Sequence, residues 1–414
     1  MAIKFQKESL APLQEKEFRL YILARFLYIM GLRMVATVVA YKLFQLTQSS
    51  LAIGLVGLSE FIPVFCLALY AGHVIDKSDK RSLLLKGIIS YAFCVIALIA
   101  LTLTSVEQKL GVQKSEYCFY VIIFLTGIIR AFAGPTSNAI VSQLVPRNVL
   151  QFASNISSST WLIASITGHA SAGFFIAWFG VNTTFLIILG YTTTAAILVA
   201  QISKKPVLNI SKTTAALESV REGLRFVFTN KIMLGAISLD LFAVLFGGTV
   251  ALIPEFASKV LAVGPIGFGW LNAASDLGSM SVIVLLTIFP MRQKQGKRMM
   301  LSVAGFGACI IIFGLSNIYA ISFAALCVSG MCDGISVMVR GTILQLTTPD
   351  EMRGRVSSVN SMFINSSNEL GMMESGLASR AFGLIPSVVM GGCITILVVL
   401  VTWFKAPTLR KLEY

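Results

Sequence analysis

Charge is scarce in this chain: 13% of its 414 residues are Asp, Glu, Lys or Arg, against roughly 25% in a soluble domain. Histidine is nearly absent, with only His73 and His169 present. Two histidines, with no third and no clustered Cys and Asp, do not supply a transition-metal site. The seven cysteines, Cys66, Cys94, Cys118, Cys309, Cys327, Cys332 and Cys393, all lie in apolar stretches and form no C-x-x-C pair. Disulfides and zinc are therefore not expected, and the thiols read as small packing residues. No phosphate loop of the form G-x-x-x-x-G-K-[ST] occurs, which speaks against an ATP-driven pump. No nucleophile–base arrangement is readable, so the chain is not expected to be an enzyme, and no cofactor is implied. The polar start, MAIKFQKESLAPLQEKEF, lacks a signal peptide's apolar core.

What is abundant is hydrocarbon. Hydrophobic residues make up 56% of the chain, and mean hydropathy is +0.82. Apolar runs of about 20 residues recur, each long enough to cross a hydrocarbon core of about 30 Å. In that solvent they must be helices, because no water satisfies the backbone; the strict alternation of a β-barrel is missing. The pattern predicts an all-α integral membrane protein with twelve transmembrane helices, near 20–46, 52–75, 84–105, 117–144, 152–178 and 183–201, then 232–254, 266–289, 299–315, 318–346, 356–379 and 385–404. Three parts follow: an N-terminal half (1–201), a linker (202–231) and a C-terminal half (232–414). The linker's Leu217, Val220, Leu224 and Val227 recur at helical spacing, predicting an amphipathic helix on the membrane surface.

The net charge of +14 sits in short loops, with no basic domain and no aromatic interleaving of the kind nucleic-acid binding needs. Cations gather at the N-terminus (Lys4, Lys7, Lys16, Arg19), after span two (Lys77, Lys80, Arg81, Lys86) and in the linker (Lys204, Lys205, Lys212, Arg221, Arg225, Lys231). They gather again after span eight (Arg292, Lys294, Lys297, Arg298), after span ten (Arg353, Arg355) and at the C-terminus (Lys405, Arg410, Lys411). The alternate loops are nearly bare, so both termini are expected in the cytoplasm of a multi-pass inner-membrane protein. The halves also resemble one another. A shift of 203 residues (330 against 127) lays Gly330 on Gly127, Pro349 on Pro146, Gly371 on Gly168, Gly376 on Gly173, and Phe382 and Gly383 on Phe179 and Gly180. Such a parallel repeat of six plus six spans is a transporter architecture.

An ionisable side chain at the bilayer centre costs roughly 2.5–3.5 kcal/mol, so each needs a partner, water or a function. The spans carry Arg33, Glu60, Arg130 and His169 in the first half, and Asp240, Asp276, Asp333, Arg340, Glu369 and Glu374 in the second. They either form interhelical salt bridges or line a polar cavity. Arg33 and Arg130 suit an anionic cargo, since guanidinium stays charged when desolvated; Glu60, Asn138, Asp333 and Arg340 join them as candidate substrate-binding residues. Glu60, Asp240, Asp276 and Glu369 are the candidates for proton coupling. Asp333 and Arg340 lie two turns apart on one face, placed to pair with each other or with neighbouring helices.

The stretch GHVIDKSDKR (72–81) resembles the signature of major facilitators between spans two and three, with Gly72, Asp76, Lys77, Lys80 and Arg81 in the motif roles and Asp79 where Gly is usual. The resemblance implies that Asp76 latches the cytoplasmic side near the N-terminus of span eleven. Arg130 resembles the family's intramembrane arginine. The run GHASAG, with Gly168, His169 and Gly173, resembles the span-five antiporter motif with His in place of Pro. The phrases LAIGLVGLSEFIP (51–63), LDLFAVLFGGTVALIPEFA (239–257), QLTTPDEMRGRVSSVNSMF (345–363) and SSNELG (366–371) are similar to the branch holding the enterobactin exporter and macrolide-efflux proteins. This implies a proton-coupled exporter, monomeric as is usual in the family, of an amphipathic or anionic small molecule such as a siderophore or drug. Its halves would rock around a midplane cavity. A proton-independent facilitator or lipid translocator, and a membrane receptor or assembly partner, are the other readings open.

Overall fold

The computed structural model describes residues 7–206, 216–289, 291, 293–349 and 352–413. Lys4, Lys212 and Arg292 of the loop-charge pattern, and Asp350 and Glu351 of the 345–363 phrase, lie outside them. Among the described residues there are helices and no strands. In chain order these are α1 (Lys16–Thr47), α2 (Ser50–Lys77), α3 (Lys80–Leu101), α4 (Thr104–Leu144), α5 (Leu150–Ala200), α6 (Ala216–Thr229) and α7 (Lys231–Gly247). Then come α8 (Ile253–Lys259), α9 (Pro265–Ile288), α10 (Gln295–Leu315), α11 (Tyr319–Thr347), α12 (Arg353–Phe382), α13 (Leu384–Lys405) and α14 (Pro407–Arg410).

Among the described residues, ten helical stretches are long and apolar enough to span a bilayer. One of them, Arg147–Ala200, covers two of the expected spans: Gly180 breaks α5 with φ 76° and ψ 174°, a conformation essentially open only to glycine. The expected span 356–379 is a long helix, α12, but is not among the ten. Its sequence, RGRVSSVNSMFINSSNELGMMESGLASRAF, is too polar, because Ser, Asn and Glu recur on it every turn. Large apolar side chains such as Phe93, Trp178, Phe289 and Phe404 face outward, which in water would be costly and in lipid is not.

The chain divides into two compact units. The first is Met1–Val39 with Ile62–Thr213; the second is Ala40–Phe61 with Thr214–Tyr414. In the first, α3 packs on α4 and α5. The tight points are small residues: a Cβ on Gly87 would stand 3.2 Å from that of Ala133, and one on Gly168 would stand 2.8 Å from Met30 O and Arg33 Cβ. In the second, α9 packs on α11, and α10 on α11 and α13. The tip of the α1–α2 hairpin belongs to this unit, Phe44 and Ile53 clustering with Ala251.

The repeat read from the sequence reappears in the backbone. Gly383 ends α12 with φ 91° and ψ 163°, matching Gly180. Gly168 sits against α1 in the first unit, and Gly371 sits against Val244 and Leu245 of α7 in the second. The expected linker helix is present as α6, and the described part of its apolar face is covered by protein. Val227 is buried with Met233, Ile237, Val356 and Val359, and half-buried Leu224 packs on the same cluster. Gly223 approaches Arg355 O, and Glu222 pairs with Arg355. Of Leu217 and Val220 the side chains lie outside what is described.

Candidate functional site

In the first unit, α1, α4 and α5 gather the intramembrane cations. Arg25 is buried and spends its donors on neutral groups only: Nη1 on Tyr21 Oη (3.1 Å) and on Ser137 Oγ, Nη2 on Asn138 Oδ1 (3.3 Å), and Nε on Ser157 O (3.3 Å). Tyr21 in turn donates to Ser137 O at 2.5 Å. Among the described residues no carboxylate pairs with Arg25. It is absent from the sequence candidates although it lies inside the 20–46 span. Its position within an apolar run was the available signal.

Two turns on, Arg33 lies over the Trp161 ring, 4.9 Å from its centroid, and makes a further interaction besides. Stacking on an indole face stabilises a guanidinium by about 0.5–2 kcal/mol. One turn beyond, Thr37 hydrogen-bonds His169 Nδ1 at 2.7 Å and donates to Arg33 O at 3.0 Å. The GHASAG run thus packs against the Arg33 turn. Gly168 permits the contact, His169 binds Thr37, and Gly173 is buried in the same helix. Arg130 is half-buried on α4 and interacts with other groups. Asn138, one of the sequence candidates, touches Arg25 rather than Arg33 or Arg130.

The loop motif has a local structural role. Asp79 caps α3, accepting from Arg81 N and Ser82 N (3.2 Å each), from Ser82 Oγ (2.5 Å), and across the unit from Lys205 N (2.9 Å). Partial burial works against the carboxylate, but these hydrogen bonds outweigh it and hold the carboxyl below its ordinary value of 3.8. Arg81 donates to Val199 O, Ala200 O and Ile202 O, covering the end of α5, where carbonyls lack helical partners. Gly72, Asp76 and Lys77 are exposed, and Lys80 is half-buried. Among the described residues none hydrogen-bonds or pairs with Asp76.

The second unit gathers acids. Arg340 of α11 and Asp240 of α7 form a buried ion pair, so Arg340's partner is on a neighbouring helix and not Asp333. Asp333 lies two turns before it and interacts electrostatically with Asp276 of α9. A small cavity between α7, α10 and α11 is lined by Asp240, Cys332, Asp333 and Ser336 among apolar residues. Glycines bring the two acid-bearing helices into contact: a Cβ on Gly330 would fall 1.9 Å from Ser275 O, and one on Gly278 would fall 1.8 Å from Cys327 O. Ser279 Oγ donates to Gly330 O at 2.8 Å across the same contact. Glu60, Glu369 and Glu374 are half-buried on α2 and α12. The backbone oxygen of Glu369 would lie 3.0 Å from a Cβ on Gly57, so α2 and α12 touch there. Ser50 donates to Glu255, which Lys259 also pairs with at 2.7 Å. Among the described residues no three His, Cys, Asp or Glu converge for a metal ion.

A family model described as "Transmembrane secretion effector" matches residues 7–413. The MFS-type transporter YfiS of Bacillus subtilis (strain 168) is 25% identical over 386 residues, covering 89% of this chain and 88% of its own length. The enterobactin exporter EntS of Shigella flexneri is 23% identical over 350 residues, covering 83% and 80%. Among solved structures, a D-xylose-proton symporter superposes with a TM-score of 0.75 at 13% identity, over 96% of this chain and 99% of that one. A bacterial homologue of the lysosomal transporter Spinster gives 0.70 at 15% identity, over 95% of each chain. At such identities these likenesses speak for the fold.

Proposed function

Because the chain belongs to the transmembrane secretion effector family of major facilitator transporters, and is a multi-pass membrane transporter, we propose that it is a proton-coupled exporter of an anionic or amphipathic small molecule. The observation that carries this reading is the segregation of interior charge. The first unit holds Arg25, Arg33 and Arg130 inside its spans; the second holds the six acids Glu60, Asp240, Asp276, Asp333, Glu369 and Glu374 against Arg340 and Lys42. Cations that keep their charge when dry attract an anion. Carboxylates that pass between wet and dry surroundings exchange protons.

On this reading Arg33 and Arg130 draw the cargo, with Arg25 and Asn138 beside them on α1 and α4. Glu60, Asp276 and Glu369 are the exchanging carboxylates, and Asp240 works together with its partner Arg340. Transport proceeds by alternating access, with twelve spans and both termini in the cytoplasm. The polar α12 counts as a span, its Ser, Asn and Glu suiting a helix that lines a water-filled path. His169 and Gly168 position Arg33, and the Asp79–Arg81 loop holds the cytoplasmic ends of α3 and α5. Similarity to enterobactin exporters supports export of a siderophore-like anion from the cell across its inner membrane.

The test is efflux from vesicles with and without a collapsed pH gradient. Efflux is expected to fall when the gradient is collapsed, and Arg33→Ala and Arg130→Ala are expected to raise the cargo concentration needed. Efflux that ignores the gradient overturns the coupling.

A further inference from the structure

The start of α10 meets the end of the chain at one tryptophan. Lys297, in the first turn of α10, holds its Nζ 5.9 Å from the centre of the Trp403 ring. Arg410, the last residue of α14, holds its guanidinium carbon 5.2 Å from the same centre. Packing forces this. A Cβ on Gly296 would fall 1.8 Å from Leu409 O, so backbone lies on backbone there, and Gly296 N donates to Leu412 O at 3.2 Å. Leu409 is fully buried, and Leu412 packs on the same cluster of α7 and α10 side chains. Lys297 follows Gly296 in the chain and Arg410 follows Leu409. The buried leucine and the bare glycine therefore set two cations beside one indole.

No acid neutralises them. Among the described residues neither cation forms an ion pair, although Glu413 stands three residues beyond Arg410. Arg410 Nη1 turns to Trp403 O at 3.4 Å instead. Lys294 and Arg298 flank Lys297 and are exposed, and the first turn of α10 holds no acid. Like charges held together raise the free energy, and an anion between them offsets it. The place is also a bilayer surface. The stretches Gln295–Leu315 and Leu384–Lys405 are both long and apolar enough to span, and Lys297 and Trp403 lie at their adjoining ends. Phe404, next to Trp403, is 75% exposed, as suits a side chain facing acyl chains, and tryptophan is enriched where hydrocarbon meets headgroups. Cations that served only to orient the chain would need to be near the end of a span, but not to share a ring.

We propose that Lys297, Arg410 and Trp403 form a binding site for the headgroup phosphate of an anionic phospholipid. The site rests on the chain's crossing a membrane and not on its cargo or its coupling to protons.

The test is the melting temperature of the purified full-length protein in a non-ionic detergent. It is titrated separately with phosphatidylglycerol, phosphatidylcholine and inorganic phosphate. The wild type is expected to gain stability saturably with phosphatidylglycerol and to gain none from the other two. Lys297→Gln and Arg410→Gln are each expected to raise the half-saturating lipid concentration about fivefold, which is about 1 kcal/mol for one cation at a membrane surface. Lys86→Gln, which removes an exposed cation from α3, is expected to leave it unchanged. Should a variant melt too low to titrate, mass spectrometry of the lipid retained through purification decides: both of the first two variants are expected to lose phosphatidylglycerol, and Lys86→Gln to keep it. A wild type that phosphatidylglycerol does not stabilise overturns the site, as do glutamine variants that respond like the wild type. Equal stabilisation by phosphatidylcholine overturns it in favour of a general lipid effect, and equal stabilisation by inorganic phosphate in favour of a free anion. An effect of Lys86→Gln as large as the other two overturns it in favour of net charge alone.

Discussion

At Asp79 one carboxylate joins two segments distant in sequence, capping α3 and holding Lys205 of the linker. Its pKa is depressed, so its contribution to stability is complete above the unfolded value of 3.8 and is lost as pH falls through the folded value. Asp79→Ala is expected to cost about 1 kcal/mol at neutral pH, typical of a lost N-cap, seen as a lower melting temperature. Asp79→Asn keeps a capping oxygen and is expected to retain most of the stability while flattening its dependence below pH 3.8. The sequence marks this residue only as a departure from a glycine position. The capping follows from Ser82, three residues on, but the reach to Lys205 does not, since it depends on where α5 ends. Likewise Asp333 and Arg340 are visibly on one face, while Asp240, a hundred residues earlier on α7, cannot be matched to Arg340 without the packing.

Between elements, small residues set the distances. At Gly330 and Gly278 the helices α9 and α11 approach until backbone meets backbone, with Ser279 bridging them. Gly330→Ala places a methyl where Ser275 O stands, so the helices must separate. Overpacking of this kind costs about 1–3 kcal/mol, and the variant is expected to melt lower than the wild type. An alanine at exposed Gly72, which has nothing within 4 Å, leaves the melting temperature unchanged. Helix positions were legible from apolar run length, and the glycines recurring at a shift of 203 foretold matched breaks at Gly180 and Gly383. Which face each glycine presents was not legible, because an apolar helix in lipid lacks the polar stripe that orients one in water. The same gap leaves α6 open: amphipathic spacing fits lipid or a protein neighbour equally well, and α7 and the start of α12 cover Val227 and Leu224.

For the whole chain, loop charge carries the topology. Lys and Arg concentrate in alternate loops, which predicts cytoplasmic termini. Reporter fusions after Lys205 and after Lys405 are expected to score as cytoplasmic, and fusions after Asn182 and Asn317 as external. A fusion at Ser49 scoring with the termini would overturn the twelve-span count. The polar α12 is where that count is most exposed: hydropathy alone gives ten stretches among the described residues, and the repeat supplies the reason to count α12. The membrane class and the repeat were legible because composition and periodicity report solvent directly. The grouping of Ala40–Phe61 with the second unit was not, since it arises from side-chain contacts such as Phe44 and Ile53 with Ala251 that leave no periodic trace.

The indole over Arg33 has a practical consequence. Trp161 is one of four tryptophans; Trp178 lies further along the same helix, Trp270 on α9 and Trp403 on α13. A fluorophore whose face is held by a guanidinium registers any anion that draws that guanidinium away. With phenylalanine at the other three positions, the emission of Trp161 becomes an optical gauge of ligand arrival, read by titration without a transport assay.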